Sequence, residues 1–255
     1  MWKLVYGSVR GTSHLRAGQT CQDHCGGSVV GTMVVATCSD GAGSADLSHL
    51  GSRLAVERFL EEAARSSDGA VPDRETIESW VDSAREKVLE EASARGVSPR
   101  QLACTFLGAL VGDDWGAFIH IGDGAIVFDG EEGYEFAFWP DSGEYANTTW
   151  FLTDEDYRLH LRIGIVNRRI SELALLTDGL QGLALDFARE RVHDRFFSPL
   201  FRTVRAGPAE DVLTASLLGF MDSGRVNDKT DDDKTLFLAT RSISDDPGRL
   251  PDETA

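Results

Sequence analysis

Two hydrophobic periods divide the chain. From Lys3 to Gly11, "KLVYGSVRG", apolar and polar residues alternate, which predicts a strand. The glycine-containing stretch from Gly11 to Gly18 reads as a loop. Past "CQDHCGG", the run "SVVGTMVVATCSD" is apolar and β-branched, which predicts one strand buried on both faces, ending where "DGAGSAD" begins. The period then lengthens. Leu47, Leu50, Leu54, Phe59 and Leu60 recur at helical spacing with Arg53, Glu57 and Glu61 between them, predicting a helix over 44–64. After a polar linker over 66–71, Pro72 and Asp73 open a second helix. It carries Ile77, Trp80, Val81, Ala84, Val88 and Leu89 and closes at Gly96.

The pattern then returns to strands. "ACTFLGALVG", "WGAFIHIGDG", "AIVFDG" and "EEGYEFAFWP" are short, and "GDDWG" and "DGEEGY" between them read as hairpin turns. Residues 141–160 read as a long loop. "HLRIGIVN", "ISELALLTDG" and "KTLFLATRS" are three further strands, and a helix–loop–helix stretch separates the last two. Helices in blocks, rather than in strict alternation with strands, point to an α+β fold with antiparallel sheets. Residues 1–242 read as one folded domain, and the polar, Pro-bearing segment 243–255 is expected to be disordered.

Composition narrows the classes. With 255 residues and a formal net charge of -17, the surface repels phosphate backbones, so a nucleic-acid partner is not expected. No stretch approaches the roughly 18 apolar residues of a membrane span, and "MWKLVYGSVRG" has no apolar run of the length a signal peptide needs. No membrane association is expected, and the protein is expected to be cytoplasmic with its four cysteines reduced.

The candidate chemistry lies at strand ends. "TCQDHC" suggests sulfur ligation at first sight. But a zinc site needs a second ligand pair at fixed spacing, and a redox pair prefers C-x-x-C. Cys38 and Cys104 lie in apolar strands and read as core thiols. A zinc–thiolate interaction protein is therefore the weaker reading, and Asp23 is what survives of the motif. Three apolar strands run into Asp-Gly: "VVATCSDG", "IHIGDG" and "ELALLTDG", placing Asp40, Asp123 and Asp178 at strand ends. "TDDDKT", with Asp231, Asp232 and Asp233, directly precedes a fourth strand. The plainer reading of any single Asp-Gly is turn chemistry, and it is kept for Asp129 in "VFDGEEG". As a set, the carboxylates suit hard cations. Strand termini are rigid, Asp is short, Gly lets the backbone approach, and oxygen ligands favour Mg²⁺ or Mn²⁺.

In this order, "SHLRAGQTCQD", "SDGAGSADLSHLGSRLA", "IGDGAIV", "LLTDGL" and "DDDKTLFLA" resemble the successive motifs of the protein phosphatase 2C family, in its bacterial branch. The resemblance spans roughly residues 5–240. It implies a four-layer α/β/β/α sandwich with two central antiparallel sheets. It also implies hydrolysis of phosphoserine or phosphothreonine in proteins on a centre of two Mg²⁺ or Mn²⁺ ions. The implied partner is a phosphorylated protein, such as a Ser/Thr kinase or its target. By position, Asp40 bridges the metals, the Gly41 carbonyl ligates one, and Asp178 and Asp232 complete a shell. Asp23 holds metal-bound water, and Asp123 belongs to a third, weaker site. The implied mechanism is in-line attack by water activated between two cations about 4 Å apart, with no phosphoenzyme.

The chain departs from the family pattern in places. Gln22 stands where a Glu ligand is common and can offer only a neutral carbonyl. Ala42 stands where some relatives carry a His, so the general acid is open among His14, His49 and metal-bound water. Gly18 stands at the place of a phosphate-binding Arg, which leaves Arg16 and His14 as candidates for the phosphate contact. These departures motivate the alternative of a catalytically weak relative that binds phosphoproteins as a regulatory module. His120 and His193 read as isolated histidines without partners, and His24 as incidental. Trp80, Trp115, Trp139 and "RVHDRFF" read as packing.

Overall fold

The computed structural model describes residues 1–66, 70–140 and 149–241. The tail 243–255 and most of the predicted loop's first half lie outside the described residues. Twelve strands are seen among them: β1 (Trp2–Val9), β2 (His24–Val30), β3 (Met33–Ser39), β4 (Phe106–Val111), β5 (Gly116–Ile121), β6 (Ala125–Asp129), β7 (Tyr134–Phe136), β8 (Arg162–Val166), β9 (Glu172–Leu176), β10 (Leu185–Asp186), β11 (Arg191–Val192) and β12 (Lys234–Arg241). The helices are α1 (Thr12–Ala17), α2 (Ser48–Ser66), α3 (Arg74–Arg95), α4 (Tyr157–His160), α5 (Gln181–Ala184), α6 (Asp194–Ala206), α7 (Glu210–Met221) and α8 (Gly224–Asn227).

Two five-stranded antiparallel sheets face each other, ordered β1-β12-β9-β6-β7 and β2-β3-β4-β5-β8. Between them Val34, Ala36, Leu107, Phe118, Phe128, Leu175 and Phe237 form a closed apolar layer. The opposite strand faces are buried too. Met33, Val35, Phe106 and Leu110 meet Phe59, Trp80 and Val88 of α2 and α3. Ala174, Leu176, Leu236 and Leu238 meet Phe197, Phe201 and Leu217 of α6 and α7. Helices cover both outer faces, so central strands are wet on neither side. That explains why they read as unbroken apolar runs. The expected four-layer α/β/β/α sandwich is the observed fold.

The helix α3 begins and ends as its sequence dictates. Asp73 caps α3 by accepting the Thr76 N–H at 2.8 Å, and Gly96 ends it in the left-handed region at φ 67°. Three expectations need correction. The apolar run 28–40 is two strands, because Gly31 (φ 62°) and Thr32 turn the chain between Val30 and Met33. Gly11–Gly18 contains the short helix α1, closed by Gly18 at φ 69°. The start of the predicted helix–loop–helix forms the small β10–β11 hairpin instead.

Candidate metal centre

The β2–β3 register pairs His24 with Ser39. Extended by one pair, it sets Asp23 opposite Asp40. Asp23 is buried, and the Thr177 and Thr235 hydroxyls each lie 2.7 Å from its Oδ2. Its Oδ1 has no protein partner. Burial pushes its pKa up to about 8; the two hydroxyls pull the other way, and the Asp233 and Asp178 charges add to the rise.

Asp40 is fixed through its backbone. Its N–H donates to Thr105 Oγ1 at 3.0 Å, and its carbonyl accepts the Thr105 N–H at 2.8 Å. Its carboxyl is raised well above the ordinary range, by burial first and then by Asp23, Asp178 and Asp123. Gly41 next to it bridges to Cys104. The flanking bonds, Ala42 N–H to Ala103 O and Thr105 N–H to Asp40 O, make this a non-hydrogen-bonded pair, so the bridge leaves the Gly41 carbonyl unused. A Cβ at Gly41 would stand 2.7 Å from the Gln22 carbonyl oxygen and 2.9 Å from Ser48 backbone. Glycine therefore allows the approach of the two segments.

Asp178 opens a tight turn after β9. Its buried Oδ1 is unpartnered, and burial followed by the Asp123 charge lifts its pKa to about 6, with Asp232 contributing. Asp123 lies in the turn between β5 and β6, after Gly122 at φ 106°. Thr149 donates to its carboxylate, and the Gln181 side-chain amide donates to its carbonyl. Asp232 is exposed and accepts the Asp233 N–H at 2.8 Å.

Asp233, to which the sequence reading gave no individual role, is the buried member of its cluster. Its carboxylate accepts the Gly11 N–H at 2.6 Å and the Gln22 N–H at 2.5 Å, and lies 2.9 Å from His14 Nδ1. It ties the segment before β2 to the start of β12. Nothing in "DDDKT" distinguishes it from its neighbours. His14 is mostly buried, whereas Arg16 is exposed and pairs with Asp231 at 2.8 Å.

His120 is not isolated. Its Nε2 lies 2.9 Å from the Gly124 carbonyl, and the Arg162 guanidinium meets Nδ1. A carbonyl only accepts and a guanidinium only donates, so the proton sits on Nε2. Burial, then Arg162, pushes the ring's pKa down to about 3, so it is neutral. His193 is also partnered, with Nδ1 3.1 Å from the Leu183 carbonyl. A sequence cannot display partners that only the fold brings near. Beside Ala42 lies a cavity of about 640 Å³ lined by Arg85, Arg100, Thr149, Trp150 and Phe151.

The donor set fits divalent cations. Asp23 Oδ1, Asp178 Oδ1 and Gln22 Oε1 are buried oxygens without protein partners, among carboxyls whose pKa values burial and neighbouring charges raise. Among the described residues, no three His, Cys, Asp or Glu side chains close round a single point.

Known proteins bear on this arrangement. The family model for protein phosphatase 2C matches residues 10–218. Serine/threonine-protein phosphatase 3 of Escherichia coli (strain K12) is 36% identical over 247 residues, covering 93% of this chain and 98% of that protein. The fold resembles the serine/threonine phosphatase of S. agalactiae (TM-score 0.65, 14% identity, 94% of this chain and 99% of that one). It also resembles the serine/threonine phosphatase Stp1 of Staphylococcus aureus (TM-score 0.63, 15% identity, 95% and 96%). Sequence and fold together place this chain in the protein phosphatase 2C family: it is a protein phosphatase.

Proposed function

We propose that this phosphatase hydrolyses phosphoserine and phosphothreonine in proteins at a centre of two Mg²⁺ or Mn²⁺ ions. The observation that carries the reading is the group of Asp23, Asp40 and Asp178. Burial first, and neighbouring carboxylates second, raise the pKa of all three, and two of them present unpartnered buried oxygens. Such crowding is unfavourable without cations and favourable with them.

Asp40 would bridge the ions, with the Gly41 carbonyl, Asp178 and Asp232 completing the donor set and Asp123 serving a third site. Gln22 would offer a neutral oxygen in place of a carboxylate. When bound, divalent cations there offset charge on the phosphoryl group and make water a better nucleophile. Asp23, anchored by Thr177 and Thr235, would orient that water. His14, held by buried Asp233, is assigned the proton delivered to the departing serine or threonine oxygen. Arg16 lies beside it on α1 as a candidate phosphate contact once released from Asp231. The substrate is a phosphorylated protein, with a Ser/Thr kinase or its target as the natural candidate, and the setting is the cytoplasm.

Asp40→Asn, assayed on a phosphothreonine peptide with Mn²⁺, is the direct test. A loss of roughly 100-fold or more is expected. Near-normal turnover would refute the bridging role. The same assay on His14→Gln tests proton delivery, through a loss that shrinks when the leaving group is p-nitrophenolate, which needs no proton.

A further inference from the structure

We propose that Cys25 and Cys38 form an oxidation site, closing to a cross-strand disulfide under peroxide and reopening with thiol. The two are direct partners in the β2–β3 ladder. The pair type follows from the turn. Val30 and Met33 close a two-residue hairpin and are therefore a hydrogen-bonded pair, so successive pairs alternate and Cys25/Cys38 is non-hydrogen-bonded. The other side of β3 gives the same answer. Gly41/Cys104 is non-hydrogen-bonded and lies in the register that pairs Cys38 with Leu107. By alternation Cys38 directs its backbone bonds to β4, away from β2. Non-hydrogen-bonded pairs bring Cα atoms to about 4.5 Å, inside the range a disulfide requires.

The side chains also agree. Both cysteines pack into the layer between the sheets, and the two thiols are in hydrogen-bonding contact. Cys38 is fully buried, but Cys25 is half-buried on β2, an edge strand, where a small oxidant can reach it. Ser8 Oγ lies 3.7 Å from Cys25 Sγ. Cys104 points into the other apolar layer and is no rival partner.

The chemistry balances with a hydroperoxide as oxidant. The Cys25 sulfur takes one oxygen, giving a sulfenic acid and releasing the reduced alcohol or water. The Cys38 sulfur then attacks it, forming the S–S bond and releasing water. A dithiol returns both thiols by exchange. Closure draws two sulfurs from contact distance to about 2.05 Å. It does so two pairs along from Asp23 and Asp40, and therefore on the same face of the ladder. A change in those carboxylates' separation follows, and that consequence rests on their role proposed above; the disulfide itself does not.

The test treats the full-length protein with hydrogen peroxide, quenches it, alkylates under denaturing conditions and maps peptides by mass. A Cys25–Cys38 crosslink is expected, with activity on a phosphothreonine peptide falling roughly tenfold and returning with dithiothreitol. Cys25→Ser and Cys38→Ser variants should keep basal activity and lose peroxide sensitivity. Four alkylated cysteines, or a Cys21–Cys25 link, would overturn the site. A crosslink without a change in activity would overturn only the coupling to the carboxylates. Peroxide sensitivity persisting in both variants would overturn that coupling as well.

Discussion

The Asp233 carboxylate lies 2.9 Å from His14 Nδ1 while accepting the Gly11 and Gln22 N–H groups. One buried acid thus organises α1 and the segment that carries Asp23. In Asp233→Ala both backbone donors lose their charged acceptor, and about 3 kcal/mol of unfolding free energy should go with them. Asp232→Ala, one residue away and exposed, should change stability by no more than about 0.5 kcal/mol. Urea denaturation of both metal-free variants separates the structural acid from its neighbour.

Raised carboxyl pKa values make stability depend on pH. Asp23 sits at about 8 and Asp178 at about 6, both raised chiefly by burial, against about 4 in an unfolded chain. Between those limits the metal-free native state binds more protons than the unfolded one, so this contribution falls as pH rises. With chelator present, the melting temperature should drop from about pH 6 to about pH 8. Mn²⁺ should flatten or reverse the trend, because cation binding releases the same protons. A melting temperature that climbs with pH in chelator would refute the reading.

Gly179, in the "TDG" stretch, permits the close packing of the turn after β9 against the start of β12. A Cβ there would stand 1.9 Å from the Asp233 carbonyl oxygen. Gly179→Ala should therefore cost about 3 kcal/mol and weaken Mn²⁺ binding by calorimetry. Gly43, whose added Cβ would meet nothing nearer than 4.0 Å, should accept alanine with no measurable loss of stability.

His120 should not titrate between about pH 5 and pH 8, because burial and Arg162 hold its pKa near 3. Long-range proton–nitrogen spectra should show a neutral ring protonated on Nε2 throughout. Its folded pKa lies below the unfolded value, so its contribution to stability is present above about pH 6.5 and lost progressively as pH falls below that. His120→Phe removes one acceptor of the Arg162 guanidinium, leaving the Trp139 carbonyl, and should destabilise by about 2 kcal/mol.

Much of the framework was legible because the central strands are buried on both faces and end abruptly in Asp-Gly. Asp40, Asp123 and Asp178 could be placed at strand ends from that alternation of apolar run and turn. The Gly31–Thr32 turn was hidden, since valines on both sides disguise two strands as one. Asp233 went unread and His120 was misread for a different reason. Their roles depend on partners far away in sequence: Gly11 and Gln22 for one, Arg162 for the other. The Cys25–Cys38 contact has the same origin, because it exists only in the register that the hidden turn sets.

β1 sits at the edge of its sheet, and the strand it pairs with is β12. During synthesis β1 must therefore wait, without a sheet neighbour, until β12 emerges. The same wait applies to Gly11 and Gln22, whose acceptor is Asp233. A nascent chain halted before residue 232 would lack both the clamp on the Asp23 segment and the proposed ligand Asp232. The enzyme should thus be silent until β12 has emerged, and no product truncated before it should dephosphorylate a phosphothreonine peptide.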